Sequence, residues 1–226
     1  MSLTWSELES MPLLDIIGKG ETRHTEFKRL VHSPVKIAKS IVAFANTEGG
    51  IILIGVDDDK RITGIHSEKE MLEMVHDAIK LHIEPDLQIE TEVIEYKKRL
   101  VLMVIVPESD DKPHYHVSTS RDVDTLKYVE NRKVYLREDS HNKVASPDRV
   151  FLMKSAGDPL NISFGATEKM LLGYLEKNSS ITAQEFSSLA GISMQKAMLT
   201  LIALVRSGAI ILCTEGQKSY YCLQNA

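Results

Sequence analysis

The chain has 226 residues, 43% hydrophobic and 26% charged, with a formal net charge of −5 at pH 7. That length accommodates one large domain or two ordinary ones, each able to bury a core, and the composition is that of a folded, water-soluble chain. The acidic balance excludes a global field drawing the protein to nucleic acid, and the longest apolar runs, Leu100 to Val106 and Ile51 to Val56, are too short to span a bilayer.

In chain order, Thr4-x-x-Glu7 has the form of a capping box and predicts a short helix carrying Trp5, Leu8 and Met11. Thr22 to Lys28 reads as extended. Pro34 suits a helix start, and Ile37, Ile41, Phe44 and Ala45 recur at i, i+4, i+7 and i+8 on one face. That helix is expected to end near Asn46, with Gly49-Gly50 giving the positive-φ freedom to turn into Ile51 to Val56. The latter is a continuous apolar run, as in a strand covered on both faces. Asp57 to Arg61 makes a turn into Ile62-Thr63-Gly64-Ile65. Ser67-x-x-Glu70 is a second capping box, opening a helix with Met71, Met74, Val75, Ala78 and Ile79 inward. Leu87, Ile89, Thr91 and Val93 alternate like a strand with one wet face, Lys97-Lys98-Arg99 forms a charged turn, and Leu100 to Val106 gives a second buried strand. A polar loop with Pro113, His114 and His116 is expected before a hairpin of Leu126 to Val129 with Lys133 to Arg137.

Gly157-Asp158-Pro159-Leu160-Asn161 carries linker chemistry and separates expected domains at 1–156 and 163–226. Beyond it, Met170, Leu171, Tyr174 and Leu175 mark a first helix, and Thr182 caps a second with Phe186 and Leu189 inward. Ser193 caps a third, carrying Ala197, Leu201, Leu204 and Val205, and Gly208 ends it. Ala209 to Thr214 and Lys218 to Leu223 read as a hairpin around Glu215-Gly216-Gln217. Three helices then a hairpin is the order of a winged helix-turn-helix. The fold class expected is therefore α+β, a mixed α/β sheet domain followed by a winged-helix domain.

Each candidate chemistry has a structural reading beside it. A Walker loop is absent, so ATP has no motif to hold it; Gly216-Gln217-Lys218-Ser219 lacks the required spacing. Gly49-Gly50 precedes a strand, which favours a helix cap over a phosphate cradle. Glu21, Glu26 and Asp57-Asp58-Asp59 are oxygen donors of the kind that take Mg²⁺ or Mn²⁺, yet aspartates between strands are ordinary turn formers and Glu26 beside Lys28 reads equally as an ion pair. His114-x-His116 lacks a partner at metal spacing and is expected to be solvated. Cys213 and Cys222 lack CxxC spacing, and reduced thiols are favoured over a disulfide or metal pair. The third helix of the second half exposes Gln195, Lys196, Thr200 and Arg206, residue types that contact DNA, but the segment from 163 balances Lys169, Lys177, Lys196, Arg206 and Lys218 against Glu168, Glu176, Glu185 and Glu215. Docking or dimerisation is the competing role.

Glu21-x-x-x-x-Glu26-Phe27-Lys28, Ala43-Phe44-Ala45-Asn46-Thr47-Glu48-Gly49-Gly50, Ile54-Gly55-Val56-Asp57-Asp58 and Ile62-x-Gly64 together resemble the Schlafen AlbA-2 domain family. Lys112-Pro113-His114-Tyr115 and Val134-Tyr135-Leu136-Arg137, followed by Ser140 and Ala145, extend the resemblance to about residues 12–150. Prokaryotic members often join this domain to a winged helix-turn-helix and are described by inference as transcriptional regulators, or as ATP-binding or helicase-related proteins. In the animal Schlafen nucleases, two such lobes form a horseshoe around structured RNA, and three carboxylates bind the metal for cleavage. The resemblance therefore implies Glu21, Glu26 and Asp58 as catalytic metal ligands, with Asp57 the alternative to Asp58, and a homodimer to supply the second lobe.

The leading expectation is a cytoplasmic, non-membrane, nucleic-acid-binding transcriptional regulator, with Lys28, Arg137, Gln195, Lys196 and Arg206 contacting DNA or RNA. The alternatives are a Mg²⁺- or Mn²⁺-dependent endoribonuclease acting on structured RNA such as tRNA, and a non-enzymatic docking module.

Overall fold

The computed structural model describes residues 8, 11–122, 127–160 and 164–224. The helix expected around Thr4 and Glu7, the Leu126 end of the expected hairpin and Asn161 of the expected linker lie outside them. Contacts divide the chain into two units, Met1–Val144 and Ala145–Ala226. The division falls ahead of the boundary expected near residue 156, because the helix after Ser146 packs Phe151 and Leu152 into the second core.

In the first unit the order is α1 (Leu13–Lys19), β1 (Thr25–Lys28), α2 (Pro34–Ala45), β2 (Gly50–Ile54), α3 (Glu68–His82), β3 (Ile83–Glu84), β4 (Glu90–Tyr96) and β5 (Arg99–Val106). Then come β6 (Tyr115–Arg121), β7 (Tyr128–Lys133), β8 (Tyr135–Glu138) and β9 (His141–Val144). The main sheet runs β1-β2-β5-β4, with β1 parallel to β2 and the other pairs antiparallel.

Successive side chains of a strand point to opposite faces, and both faces of this sheet are covered, so β2 and, from Leu100 on, β5 are apolar. Ile52, Ile54, Leu102 and Val104 face a core built with Ile37, Ile41 and Phe44 of α2 and Met71, Val75 and Ala78 of α3. Ile51, Leu53, Val101 and Met103 face the other way, onto Phe27 and the α1 residues Leu13, Ile16 and Ile17.

The glycine pair divides its labour. Gly49 takes a φ of 73° and donates its N–H to Phe44 O, closing the end of α2. Gly50 is required by space, since a Cβ there would fall 2.2 Å from the Phe44 ring. Ser67 caps α3 by accepting from Glu70 N.

The segment from Tyr115 departs from expectation. It is a strand, β6, paired with β3 and β7, while β8 pairs with β9; the hairpin expected between 126–129 and 133–137 is replaced by these two pairings. Its sequence, Tyr-His-Val-Ser-Thr-Ser-Arg, alternates too weakly in hydrophobicity to read as a strand.

The second unit holds α4 (Pro147–Lys154), α5 (Ala166–Leu175), α6 (Ala183–Ala190), α7 (Met194–Arg206), β10 (Ile210–Glu215) and β11 (Lys218–Leu223). Leu171, Phe186, Leu201, Leu204, Ile210 and Tyr221 make its core. Thr182 and Glu185 form a reciprocal capping box on α6, which ends on left-handed Gly191; Ser193 then caps α7. The axes of α6 and α7 bend by 113° across that break. Among the described residues no single helix is long and apolar enough to cross a membrane.

Candidate functional site

The motif-bearing residues converge where β1, α2, β8 and β9 meet. Glu26 on β1 is buried, and so is Arg137 on β8. Arg137 Nη1 donates to Glu26 Oε2 at 2.6 Å and to Asn142 Oδ1 at 2.9 Å, while Nη2 donates to the carbonyls of Thr22 and Thr25. Glu26 Oε1 accepts from Ser40 Oγ at 2.7 Å and lies 2.6 Å from Lys28 Nζ. Asn142 Nδ2 reaches Glu26 Oε2 and Ser40 Oγ. Burial works to raise the Glu26 pKa, but Lys28 and Arg137 outweigh it and hold the carboxyl below its ordinary value. The Arg137 guanidinium also lies over the Phe44 ring, 4.8 Å from its centroid.

Asn46, at the end of α2, ties distant segments together. Its side chain donates to the carbonyls of His114 and Tyr135 and accepts from His114 N. Thr47 Oγ1 accepts from Arg137 N. The expectation of solvated histidines is corrected here: His114 and His116 are buried. The His114 ring bonds Pro85 O and Ser109 Oγ just ahead of β6, where Asn46 holds its backbone, and β6 carries His116 against α2, where Nε2 bonds Val35 O. Burial, with His82, Lys39 and Lys133 nearby, lowers the His116 pKa.

Glu21, Glu26 and Asp58 are not brought together as a metal centre. Glu21 is exposed and accepts from Phe27 N at 2.8 Å. Asp58 is exposed in the turn after β2, where Asp57 accepts from Arg61 N and Asp59 pairs with the Arg61 guanidinium. Among the described residues no group of three or more His, Cys, Asp or Glu is placed to hold a metal. The residues present do not fit Mg²⁺ or Mn²⁺: both Glu26 oxygens are already engaged by cationic and neutral donors of the protein, which a metal would have to displace.

The expected nucleic-acid contacts separate into three groups. Arg137 is committed to the buried network, and Lys28 leans on Glu26. Arg206 donates to the carbonyls of Ala156 and Asp158, which closes its own unit. Gln195 and Lys196 are exposed on α7. Cys213 and Cys222 are free thiols with Sγ atoms 3.4 Å apart across the β10–β11 hairpin, and burial followed by the neighbouring Cys213 pushes the Cys222 pKa up to about 11.

Sequence reading missed a second cluster. Lys60 and Arg61 from the turn after β2, Lys97 from the β4–β5 turn and Arg99 at the start of β5 surround a cleft of about 520 Å³ floored by Leu14, Ile17, Ile62 and Tyr96. Each cation was legible singly; their approach depends on the sheet order.

The Schlafen, AlbA_2 family model matches residues 21–146. No curated protein sequence matches the chain. The N-terminal domain of a RecG-related protein from Nitrosomonas europaea is 24% identical, with a TM-score of 0.42 over 49% of this chain and 84% of that one. The DIP2311 protein from Corynebacterium diphtheriae is 14% identical, with a TM-score of 0.47; the match covers 84% of this chain but only 37% of the other. Neither likeness bears on function. The family match spans more than half of the chain and includes the Glu26–Arg137 network and the Asn46 ties, so the chain belongs to the Schlafen AlbA_2 family.

Proposed function

We propose that this protein binds nucleic acid and acts as a DNA-binding transcriptional regulator, with its second unit a winged helix-turn-helix. The observation that carries the reading is the 113° bend between α6 and α7 across Gly191-Ile192-Ser193. Helix-turn-helix pairs cross at about 90–120° over a turn of about three or four residues, often with glycine. The β10–β11 hairpin then stands where a wing would, and α7 is the recognition helix, offering Gln195 and Lys196. In a homodimer, two copies of α7 would meet successive major grooves about 34–36 Å apart.

Duplex binding by the full chain, followed by fluorescence anisotropy at several salt concentrations, tests this. Lys196→Ala is expected to weaken binding and to lower the salt slope by about one phosphate's share. Gln195→Ala is expected to weaken binding and relax sequence preference. Unchanged binding in both variants rejects α7 as the reading element.

A further inference from the structure

The cleft beside Tyr96 has the opposite charge to the chain as a whole. Its eight lining residues include four cations, Lys60, Arg61, Lys97 and Arg99, and no carboxylate, in a protein of net charge −5. The floor is apolar and aromatic: Leu14, Ile17, Ile62 and Tyr96. The volume of about 520 Å³ lies within the usual range of ligand sites.

Local chemistry leaves most of these cations able to donate further. Lys60 Nζ gives one hydrogen bond to Gly18 O at 2.9 Å, and Arg99 Nη1 donates to Ile62 O. A lysine ammonium has three donors and a guanidinium five, so each anchor holds the side chain and leaves donors over. Arg61 is partly neutralised by Asp59 at 2.6 Å and Asp57 at 3.5 Å. The Lys97 ammonium lies 5.2 Å from the centroid of the Tyr96 ring, so a cationic and a stacking surface adjoin.

The backbone here favours other residues than those found. Tyr96 pairs with Arg99, so Lys97-Lys98 is a two-residue hairpin turn, and both residues have positive φ, 49° and 63°. Such turns select Asn and Gly. Lys60 shares the feature at 65°, so three of the four non-glycine residues with positive φ among those described are lysines in or beside this cleft. Long cationic side chains held in a left-handed backbone point to a role for their charge.

We propose that this cleft binds single-stranded nucleic acid, with a base against Tyr96 and the flanking phosphates on Lys60, Lys97 and Arg99. Alternation of cations with an aromatic platform is what such strands require, because every base offers a π-face and every linkage an anion. The inference rests on the nucleic-acid-binding reading above but assigns the strand to the first unit and not to α7 of the second.

The test uses the full chain and a labelled single-stranded oligonucleotide of about twelve nucleotides, a length within the usual site size of such proteins, followed by anisotropy. Tyr96→Leu keeps the apolar floor and removes the ring; it is expected to raise Kd about tenfold. Lys97→Asn suits the left-handed backbone and is expected to lower the salt slope by about 0.7, because one phosphate is no longer neutralised. Circular dichroism confirms that each variant is folded. Wild-type affinity in both variants overturns the inference. So does loss of single-strand binding in Lys196→Ala with none in Tyr96→Leu, which assigns the strand to α7 and leaves the proposed function standing. Displacement by a mononucleotide or by polyglutamate as effective as by the unlabelled strand also overturns it, in favour of a free nucleotide or of charge alone. Failure of wild type to bind either single strand or duplex removes both proposals together.

Discussion

Arg137 places Nη1 2.6 Å from Oε2 of Glu26, and both side chains are shut away from solvent. Breaking such a pair from one side leaves a buried charge without its counterpart, a loss of about 3–5 kcal/mol. Glu26→Gln is therefore expected to lower stability by that amount in denaturant titration, through Arg137 and Lys28. Pairing it with Arg137→Met removes the stranded guanidinium and is expected to recover part of the loss; additive losses would refute the coupling.

The same carboxyl sets an acid limit. Its folded pKa lies below the ordinary 4.5, so its stabilising effect is complete above 4.5 and is lost as pH falls through the folded value. The stability gap between wild type and Glu26→Gln should narrow in that acid window. A gap independent of pH below 4.5 would count against a native charged Glu26.

His116 makes a separate prediction at milder pH. Burial holds its folded pKa below the ordinary 6.5, so the unfolded chain takes the proton first. The stabilisation is complete above 6.5 and is lost as pH drops from there through the lowered value. His116→Gln should flatten the fall in Tm of the wild type below pH 6.5. Parallel Tm curves would contradict the buried neutral ring.

Gly49 and Gly50 should tolerate alanine poorly for different reasons. At Gly49 the backbone is left-handed and a Cβ would meet Val106 O and Glu108 N at 2.9 Å; at Gly50 it would meet the Phe44 ring. Overpacking of this kind costs about 1–3 kcal/mol. Combining Gly50→Ala with Phe44→Leu should restore part of the loss, whereas the same second change should not rescue Gly49→Ala. Equal rescue of both would show that the two sites fail by one cause.

In the second unit, Tyr221 is fully buried and its hydroxyl donates to Asp148 Oδ2 at 3.0 Å. Burial, and then the Asp148 charge, raises the pKa of the phenol, so it stays protonated as the donor. Tyr221→Phe leaves the buried carboxylate short of a partner and should cost about 1–3 kcal/mol. A neutral result in thermal unfolding would mean that Asp148 is satisfied elsewhere.

The sequence disclosed what depends on near neighbours. The Ile37–Ile41–Phe44 stripe, the apolar β2 and β5, the Ser67, Thr182 and Ser193 caps and the Lys97-Lys98 turn were all legible. The site was less so, because its bonds join residues far apart in the chain. Glu26 could be seen beside Lys28, but nothing local reveals that Arg137 is the second cation or that Asn142 closes the network. His114 and His116 read as loop residues because β6 has hydroxyl side chains where a strand core is usually apolar. The cations around Tyr96 lie after β2 and at the β4–β5 hairpin, and they meet only because β2 pairs with β5.

Strand β4 lies last in its sheet and, among the described residues, leaves one side of its backbone unpaired by any strand. Its sequence, Glu-Thr-Glu-Val-Ile-Glu-Tyr, carries three carboxylates and no cation, with Glu90, Glu92 and Glu95 exposed. Two copies laid edge to edge there would crowd six carboxylates, three from each, along one short join, so the strand that completes the sheet also discourages its own kind. Self-pairing through this edge is thereby opposed, and with it the addition of copy after copy to one growing sheet.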